Sequence, residues 1–375
     1  MKKVVHLTSA HHRYDQRILW RECCSLREHG YDVTLIVNDA KESETLENGV
    51  RILSTGFLPQ GRRERMTEGV KRVYTLGIAQ NADIYHLHDA ELLTIALKLK
   101  RNGKKVIFDS HEFYGETIKG RTWIPWGCRY LVSFLYNCYE TYVCKRIDGV
   151  IAVGKYDGKD WFANRSKRFT VVGNFPPKDE YQDIPIPSYR LRANICYAGG
   201  LSEETGVLNL LEAAAKAQTR LLLAGRFSSE AFHEKCVEHD TNHVVDYFGQ
   251  IGRKEVFTMY GKCVVGMCIP LNTGGQEYKI NTLNTKIYEY MAMEMPVILS
   301  DWPYRRQMVE KYNFGLVANP SDIDDIAAKI RWILDHPKEA AEMGKNGKRL
   351  LEEQFTWEDA AEPELLRMYQ AVYSS

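Results

Sequence analysis

The chain has 375 residues, of which 44% are hydrophobic and 26% charged, and its formal net charge is +1. This composition is typical of a folded globular protein, and it excludes disordered, collagen-like and disulfide-rich classes. The length suggests two domains of ordinary size, and no segment approaches the roughly 18 uncharged apolar residues of a membrane span.

Charge is divided unevenly along the chain. Residues 1–175 carry 28 Lys and Arg against 20 Asp and Glu, a net charge of +8, whereas residues 176–375 carry 22 against 29, a net charge of −7. A basic N-terminal half suits an anionic partner such as a membrane surface, an acidic glycan or a lipid phosphate. Two solvated surfaces that differ in charge would give the same counts, so both interpretations stay open. A nucleic-acid partner is not predicted.

The nine cysteines include no Cys-x-x-Cys pair and no spacing typical of metal ligands, which indicates reduced core thiols. The first residues predict a strand followed by polar residues, which is not the pattern of a signal peptide. We therefore expect a cytoplasmic protein, with peripheral contact at the inner face of a membrane as an open alternative.

Short apolar segments alternate with helical ones through the first half, which predicts a doubly wound parallel sheet of α/β class. The predicted strands there are Val4–Leu7, Val33–Val37, Val50–Leu53, Asp83–Leu87, Val106–Phe108, Val150–Val153 and Thr170–Val172.

A proline-bearing polar stretch, residues 176–193, is the predicted linker, and the alternation restarts after it. We predict a first domain over residues 1–175, a second over 194–355, and a final helix over 356–375 that packs back toward the first domain. The predicted strands of the second domain are Ile195–Ala198, Leu221–Ala224, Val244–Phe248, Val264–Met267, Val297–Leu299 and Leu316–Val317, with a helix from Glu203 to Ala217.

The loop after the first strand is too polar to be only a connector. Residues 8–17 include two His, two Arg and an Asp, and loops at the carboxyl ends of parallel strands line the ligand crevice. Asp15 and Arg17 are the candidates for ligand contact. Alternatively, Asp15 caps the following helix and Arg17 is solvated at its first turn.

A His-x-His pair ends another predicted strand. His86 and His88 lie on one face because side chains alternate along a strand, as a metal site needs. No further cluster with metal-ligand spacing occurs, so no metal is predicted. Asp89 follows directly and is placed to cap the next helix.

A strongly apolar helix is predicted after residue 125, with Leu131, Phe134, Leu135, Cys138 and Tyr142 at helical spacing. An interfacial or lipid-acceptor surface is one interpretation, supported by neighbouring Lys and Arg side chains. We favour a helix that packs into the core, because the apolar stripe is narrow.

Glycine-containing loops follow strands of the second half. Gly200 lets the backbone approach a ligand before a helix begins. Arg226 is a candidate phosphate ligand, with a solvated loop arginine as the alternative. Backbone N–H groups around Gly274, Gly275 and Glu277 are able to cradle a phosphate or meet a sugar; a mobile loop without a role is equally compatible.

Residues 285–301 predict a helix that ends before Pro296 and a buried strand after it. Lys286 and Glu289 occupy the first turns, where free backbone N–H groups suit a phosphate and a carboxylate can accept hydrogen bonds from a ribose diol. Residue spacing alone favours a surface ion pair between the two side chains.

This segment resembles the donor-binding motif of the retaining glycosyltransferases of family 4, with Glu289 as its second glutamate. Asp15-x-Arg17-Ile18 is similar to a subgroup of that family. The first glutamate of the motif would fall at Asn281, and Gly200 and Thr205 hold the positions of an Arg and a Lys that clamp the diphosphate. The resemblance covers nearly the whole chain.

The resemblance implies a GT-B fold, in which two Rossmann-like domains face each other across a cleft. It also implies metal-independent transfer, with retention, of a sugar from a nucleotide-diphosphate sugar to a glycan or lipid-linked acceptor. Surface polysaccharide assembly is the pathway we expect. No cofactor is expected besides the donor, which is a substrate.

The resemblance assigns roles to individual positions. Glu289 would bind the ribose; Lys286, Arg226, Gly200, Gly274, Gly275 and Asn281 would line the rest of the donor site; His111 would lie beside the donor sugar; Glu277 would replace the absent first glutamate; and Asp15, Arg17, His88 and Asp89 would face the acceptor. For His111, a strand-end histidine bonded to backbone is the alternative.

Two other functions fit part of the pattern. Asn281, Gly200 and Thr205 are compatible with an inactive relative that serves as a partner subunit or glycan-binding module. A nucleotide-sugar epimerase would need an acid and a base among carboxylates in the cleft, and the Lys286–Glu289 pattern disfavours it.

Overall fold

The computed structural model describes residues 2–121, 124–271 and 279–374. The chain forms two compact units: Met1–Asn174 together with Trp357–Ser375, and Phe175–Thr356. Each unit is built on a sheet of mainly parallel strands. The predicted fold class, α/β with two doubly wound parallel sheets, is confirmed.

The first unit contains an eight-stranded sheet in the order β3-β4-β2-β1-β5-β6-β7-β9, parallel except for β3. Its strands are β1 (Lys3–Leu7), β2 (Asp32–Val37), β3 (Glu44–Thr45), β4 (Arg51–Ser54), β5 (Ile84–Leu87), β6 (Lys105–Ser110), β7 (Gly149–Ala152) and β9 (Phe169–Val171); β8 (Lys155–Tyr156) lies outside this sheet.

Helices cover this sheet, including the last one in the chain. The indole N–H of Trp357 donates to the Ser25 hydroxyl at 2.7 Å, and Tyr369 is fully buried. The helical segments are Gln16–Cys23, Cys24–Glu28, Arg62–Glu64, Arg65–Gly69, Val70–Ala79, Ala90–Leu92, Leu93–Arg101, Tyr114–Thr117, Ile118–Gly120, Trp126–Cys144, Trp357–Ala361 and Glu362–Tyr373.

The second unit contains a six-stranded parallel sheet in the order β12-β11-β10-β13-β15-β16. Its strands are β10 (Ala193–Ala198), β11 (Leu221–Ala224), β12 (Val245–Tyr247), β13 (Cys263–Cys268), β15 (Val297–Ser300) and β16 (Gly315–Ala318); β14 (Ile280–Asn281) lies outside this sheet.

Helices of the second unit pack on both faces of the sheet. The helix predicted from Glu203 begins only at Val207, after Gly206 with φ +76°. The helical segments are Lys178–Glu180, Tyr189–Leu191, Val207–Lys216, Glu230–His239, Arg253–Tyr260, Thr285–Ala292, Pro303–Tyr312, Ile323–Asp335 and Pro337–Gln354.

Both sheets reverse their strand order beside the first strand of the unit. In the first unit β1 pairs with β2 on one side and β5 on the other; in the second, β10 pairs with β11 and β13. Connections leave in opposite directions at such a place, so the loops after the strands leave a crevice at the carboxyl edge. Each unit therefore has one location where the topology itself favours a ligand.

Helix Trp126–Cys144 corrects one prediction. Its apolar side chains face solvent, with Phe134 63% and Leu131 59% exposed, while Ser133 and Glu140 are buried. The favoured prediction of a core-packing helix is wrong, because the narrow stripe read from the sequence lies on the outer side. Within the described residues, no helix combines the length and hydropathy needed to cross a bilayer.

Candidate functional site

A cavity of about 590 Å³ lies at the carboxyl edge of the second sheet. The loops after β10 and β11 and the start of helix Thr285–Ala292 form its walls. Residues lining it include Gly199, Gly200, Arg226, Arg253, Lys286 and Glu289.

At two glycines the wall of this cavity is formed by the backbone alone. Gly199 and Gly225 have φ of +142° and +140°, which disfavours other residues. A Cβ at Gly225 would collide with the Gly199 carbonyl, and a Cβ at Gly199 would lie 2.6 Å from the Lys286 Nζ. The backbone thus lies close to the Lys286 ammonium, so that both could contact the same anionic group.

Lys286 does not pair with Glu289. Its Nζ lies 3.7 Å from the centroid of the Tyr197 ring, a cation–π contact. The ion pair favoured by residue spacing is therefore wrong. Lys286 has no carboxylate partner within the described ranges, and it lines the cavity.

Glu289 is nearly buried, with 7% of its surface exposed. It accepts hydrogen bonds from the Arg253 Nη1 at 2.8 Å and the Tyr260 hydroxyl at 3.0 Å. Arg253 also pairs with Glu180. Burial lowers the pKa of Arg253, but Glu289 and Glu180 raise it overall, and burial beside Glu289 raises the pKa of Tyr260. Glu289 is thereby held in one orientation.

Sequence reasoning did not identify Arg253 and Tyr260. The sequence contains only a weak indication of Arg253, which is the first residue of a helix and directly follows a glycine.

Arg305 was also missed, and it fixes the start of the helix that bears Lys286. It is buried, and it donates to the Asn284 Oδ1 at 2.6 Å and to the Cys268 carbonyl at 3.1 Å. Asn284 precedes helix Thr285–Ala292, and its side chain does not cap that helix. The Asn284 backbone carbonyl, not its side chain, accepts from the Ile287 N–H at 2.9 Å.

Among the described lining residues, the three cations Arg226, Arg253 and Lys286 outnumber the one carboxylate, Glu289, so this lining carries a net positive charge. Arg226 is exposed, and its guanidinium has no hydrogen bond or ion pair with residues that the structure describes. Such a set suits a ligand with concentrated negative charge and a hydroxyl-bearing part.

The other predicted donor residues divide into three groups. Gly200 lines the cavity, and the Thr205 hydroxyl shapes its loop by accepting from the Ser202 N–H at 3.0 Å. Asn281 is half-buried and is not among the residues that line this cavity. Gly274, Gly275 and Glu277 lie outside the described residues.

The first unit has a cavity of about 250 Å³ at the ends of β5 and β6. More of its lining side chains are polar than in the cavity of the second unit. Residues lining it include His11, His88, Asp89, Glu91, His111 and Arg121.

Two histidine–aspartate pairs meet in this cavity. The His111 Nε2 lies 3.1 Å from the Asp109 Oδ2, and the His11 Nδ1 lies 3.0 Å from the Asp89 Oδ1. The two imidazole centroids are 4.7 Å apart. Burial lowers the pKa of His11, but its hydrogen bond to Asp89 raises it overall. These pairs can hold or exchange a proton, or bind sugar hydroxyl groups.

His88 stands behind this pair. Its Nδ1 lies 3.2 Å from the His111 Nε2, and its Nε2 lies 2.8 Å from the His6 Nδ1. Burial lowers the pKa of His88 to about 4, so the ring is neutral at neutral pH. His88 therefore links the cavity to the interior without adding charge.

Asp15 and Arg17 do not line the cavity. The Asp15 Oδ1 accepts from the backbone N–H groups of Arg17 and Ile18, both at 2.9 Å, which is the capping alternative. Arg17 is buried and donates to Asp109 at 2.9 Å and to the Val172 carbonyl at 2.9 Å. Arg17 thereby anchors the carboxylate that pairs with His111, and a direct contact of Asp15 or Arg17 with an acceptor stays a prediction.

Asp89 lines the cavity, but it does not cap the next helix as predicted. Its Oδ2 instead accepts from the Ser9 N–H at 2.6 Å and the Thr8 hydroxyl at 2.8 Å. Burial raises the pKa of Asp89, but these bonds and the one from His11 lower it well below its usual range. Asp89 thus fixes the first loop against the end of β5.

The His-x-His pair has more neighbours than the sequence suggested. Because His6 is in register with His86, ligand atoms of His6, Glu22, His86 and His88 lie within 4.8 Å of one another. Sequence spacing did not show this cluster, because His6 and Glu22 come from other parts of the chain. The Tyr369 hydroxyl lies 2.8 Å from the His86 Nδ1 and 3.1 Å from the His6 Nε2, so these rings form a hydrogen-bonded network. Metal-independent action stays a prediction.

Comparison with protein families gives one match in each unit. A model described as Glycosyltransferase Family 4 matches residues 16–176, and one described as Glycosyl transferases group 1 matches residues 187–350. Among curated proteins, no sequence matches this chain significantly.

Solved structures share the fold over essentially the whole chain. Sucrose-phosphate synthase from Thermosynechococcus elongatus has a TM-score of 0.79 at 17% identity, with 100% of both chains covered. A glycosyltransferase from Rickettsia africae has a TM-score of 0.70 at 15% identity, covering 100% of this chain and 98% of that one. Anabaena Alr3699/HepE, solved in complex with UDP and glucose, has a TM-score of 0.69 at 12% identity, with 100% of both chains covered. At such identities the likeness shows the fold alone.

Proposed function

Because this chain is a glycosyltransferase of the GT-B type, we propose that it transfers a sugar from a nucleoside diphosphate sugar to a glycan or lipid-linked acceptor. The bond between the anomeric carbon and the diphosphate breaks, a bond from that carbon to an acceptor oxygen forms, and the acceptor hydroxyl loses its proton. The activity needs no metal in this proposal.

The cavity of the second unit would bind the nucleotide part of the donor. The observation that carries the proposal is the combination of Lys286, Arg226 and glycine backbone with one oriented, nearly buried carboxylate, Glu289. Cations offset diphosphate charge, and a carboxylate accepts from two ribose hydroxyl groups. A likeness in fold to Anabaena Alr3699/HepE, solved with UDP-glucose, supports this type of donor.

The cavity of the first unit would meet the reacting sugar and the acceptor. His111, held by Asp109, would hydrogen-bond a hydroxyl of the donor sugar, and His11 with Asp89 would bind the acceptor. Retention of anomeric configuration and a place in surface polysaccharide assembly belong to the proposal through the family resemblance. Peripheral contact of the basic first unit with an anionic membrane belongs to the proposal through the net charge of +8 over residues 1–175.

A thermal-shift screen against nucleoside diphosphates and their sugars tests the proposal. We expect one nucleotide to raise the melting temperature of the wild type and of Glu294→Ala but not of Glu289→Ala. Glu294 is the matched control, since it follows the same helix and pairs with Lys348 outside the cavity.

With the donor identified, release of the nucleoside diphosphate in the presence of glycan acceptors would measure turnover. Nuclear magnetic resonance of the product would give its anomeric configuration. Absence of a shift with every nucleotide would contradict the proposal and favour the inactive partner or glycan-binding module.

A further inference from the structure

We propose that helix Trp126–Cys144 lies flat on a bilayer containing anionic lipids and is the membrane-binding element of the first unit. This inference deepens the membrane contact included in the proposed function. It depends on neither the donor cavity nor catalysis.

The distribution of polar and apolar residues on this helix is the reverse of that on an ordinary surface helix. Its buried residues include Ser133 and Glu140, which are polar. Its outer side consists of large apolar and aromatic side chains. Those exposed are Trp126 (77%), Tyr130, Leu131, Val132, Phe134, Leu135, Tyr139 and Tyr142. Contiguous apolar exposure of this kind marks a surface that another body covers.

The residue types on this outer side fit the boundary between lipid headgroups and acyl chains. Trp and Tyr combine an apolar ring with a polar group, and Leu and Phe insert more deeply. The single acidic residue of the helix, Glu140, is buried and pairs with Arg165 at 3.2 Å. No carboxylate on the outer side of the helix would therefore have to be desolvated.

Basic residues surround the C-terminal end of the helix. Lys145 and Arg146 are exposed, and the Arg146 guanidinium lies 3.6 Å from the centroid of the Tyr142 ring. Lys100 binds Asp148 at 2.7 Å, which brings the exposed Arg101 to the same end. The anionic headgroups of a bilayer complement these charges.

The inner side of the helix contacts the wall of the first-unit cavity. The ring centroids of Tyr136, on the helix, and Tyr114, in the cavity wall, are 5.1 Å apart. A helix seated on a bilayer would thus hold this cavity close to the headgroups, where the sugar or phosphate of a lipid-linked acceptor lies.

Vesicle flotation with the full chain tests the inference. We expect the wild type to float with vesicles of phosphatidylcholine and phosphatidylglycerol and much less with phosphatidylcholine alone. Leu131→Ser/Phe134→Ser/Leu135→Ser should weaken partitioning at least tenfold, and Lys145→Glu/Arg146→Glu should remove the preference for phosphatidylglycerol. Leu58→Ser/Leu191→Ser/Val237→Ser, three exposed apolar residues elsewhere, is the matched control and should float like the wild type.

Three results would overturn the inference: no flotation of the wild type, equal flotation of the helix variant, or a lipid-free dimer that the helix variant dissociates. The last would identify a second copy as the occupant of this face. Nucleotide binding by the same variants separates this question from the proposed function. A helix variant that loses flotation but keeps its nucleotide-induced thermal shift is folded and defective only in membrane binding.

Discussion

The two cavities occupy equivalent places, at the reversal of strand order in each sheet, yet they are lined differently. In the first unit, histidines in the cavity wall pair with buried carboxylates, His111 with Asp109 and His11 with Asp89. In the second, glycine backbone and cations surround one carboxylate, Glu289. The same topology thus supports two kinds of chemistry.

The difference indicates a division of labour. Imidazoles that are hydrogen-bonded to carboxylates can bind hydroxyl groups and transfer protons. Cations beside closely approaching glycine backbone suit a diphosphate. Substitutions in the first unit should therefore change turnover, and those in the second should change donor affinity.

The largest effect is expected at His111. His111→Gln should lower kcat roughly 100-fold, because the substitution removes an imidazole polarised by Asp109, and should leave nucleotide affinity unchanged. Steady-state kinetics with varied donor measures both quantities. His12→Gln, at an exposed histidine of the loop after β1, is the control. Equal losses in kcat and in nucleotide affinity would contradict the proposed separation of roles between the two cavities.

Arg253→Ala should weaken nucleotide binding about tenfold, because Glu289 loses its charged hydrogen-bond donor and the cavity loses a cation. Titration calorimetry measures this, with Lys254→Ala, on the outer side of the same helix, as the control. Tighter binding in the variant would instead mean that the guanidinium occupies the position that a ribose requires.

A smaller effect is expected from His88 on stability. The folded state lowers the pKa of this histidine to about 4, so the unfolded chain binds the proton more tightly. Stability should therefore fall as pH decreases from about 6.5 toward 4, by about 1 kcal/mol at about pH 5.5 for this one group.

His88→Asn should show a weaker dependence of the free energy of unfolding on pH in that range. Urea denaturation at several pH values measures it, and His233→Asn in the second unit is the control. The same pH dependence in wild type and His88→Asn would refute a neutral, buried His88.

Much of the fold was predictable, because an alternation of short apolar strands and helices is nearly sufficient to indicate a doubly wound sheet. The loops at strand ends were predictable as sites for the same reason. The pairings within them were not. His6 meets His86 only because β1 lies beside β5, and Glu289 binds Arg253, which lies 36 residues away in the sequence.

The orientation of helix Trp126–Cys144 shows where periodicity fails. A narrow apolar stripe tells that a helix has one apolar side, but not whether that side faces a core or another body. Arg17 shows the opposite error: a charged residue in a polar loop is buried, because Asp109 and the Val172 carbonyl satisfy it.

Binding of a nucleoside diphosphate to the cavity of the second unit tests the central claim most directly. Calorimetric titration of UDP into the wild type, Lys286→Met and Lys254→Met compares a cavity cation with a surface one. Lys286→Met should bind roughly 10- to 100-fold more weakly, since a hydrogen bond to a charged group contributes about 1.5–3 kcal/mol, and Lys254→Met should bind like the wild type. If UDP fails, the nucleotide selected by the thermal-shift screen takes its place. Equal affinity of the wild type and Lys286→Met, or no binding of any nucleoside diphosphate, would contradict the account.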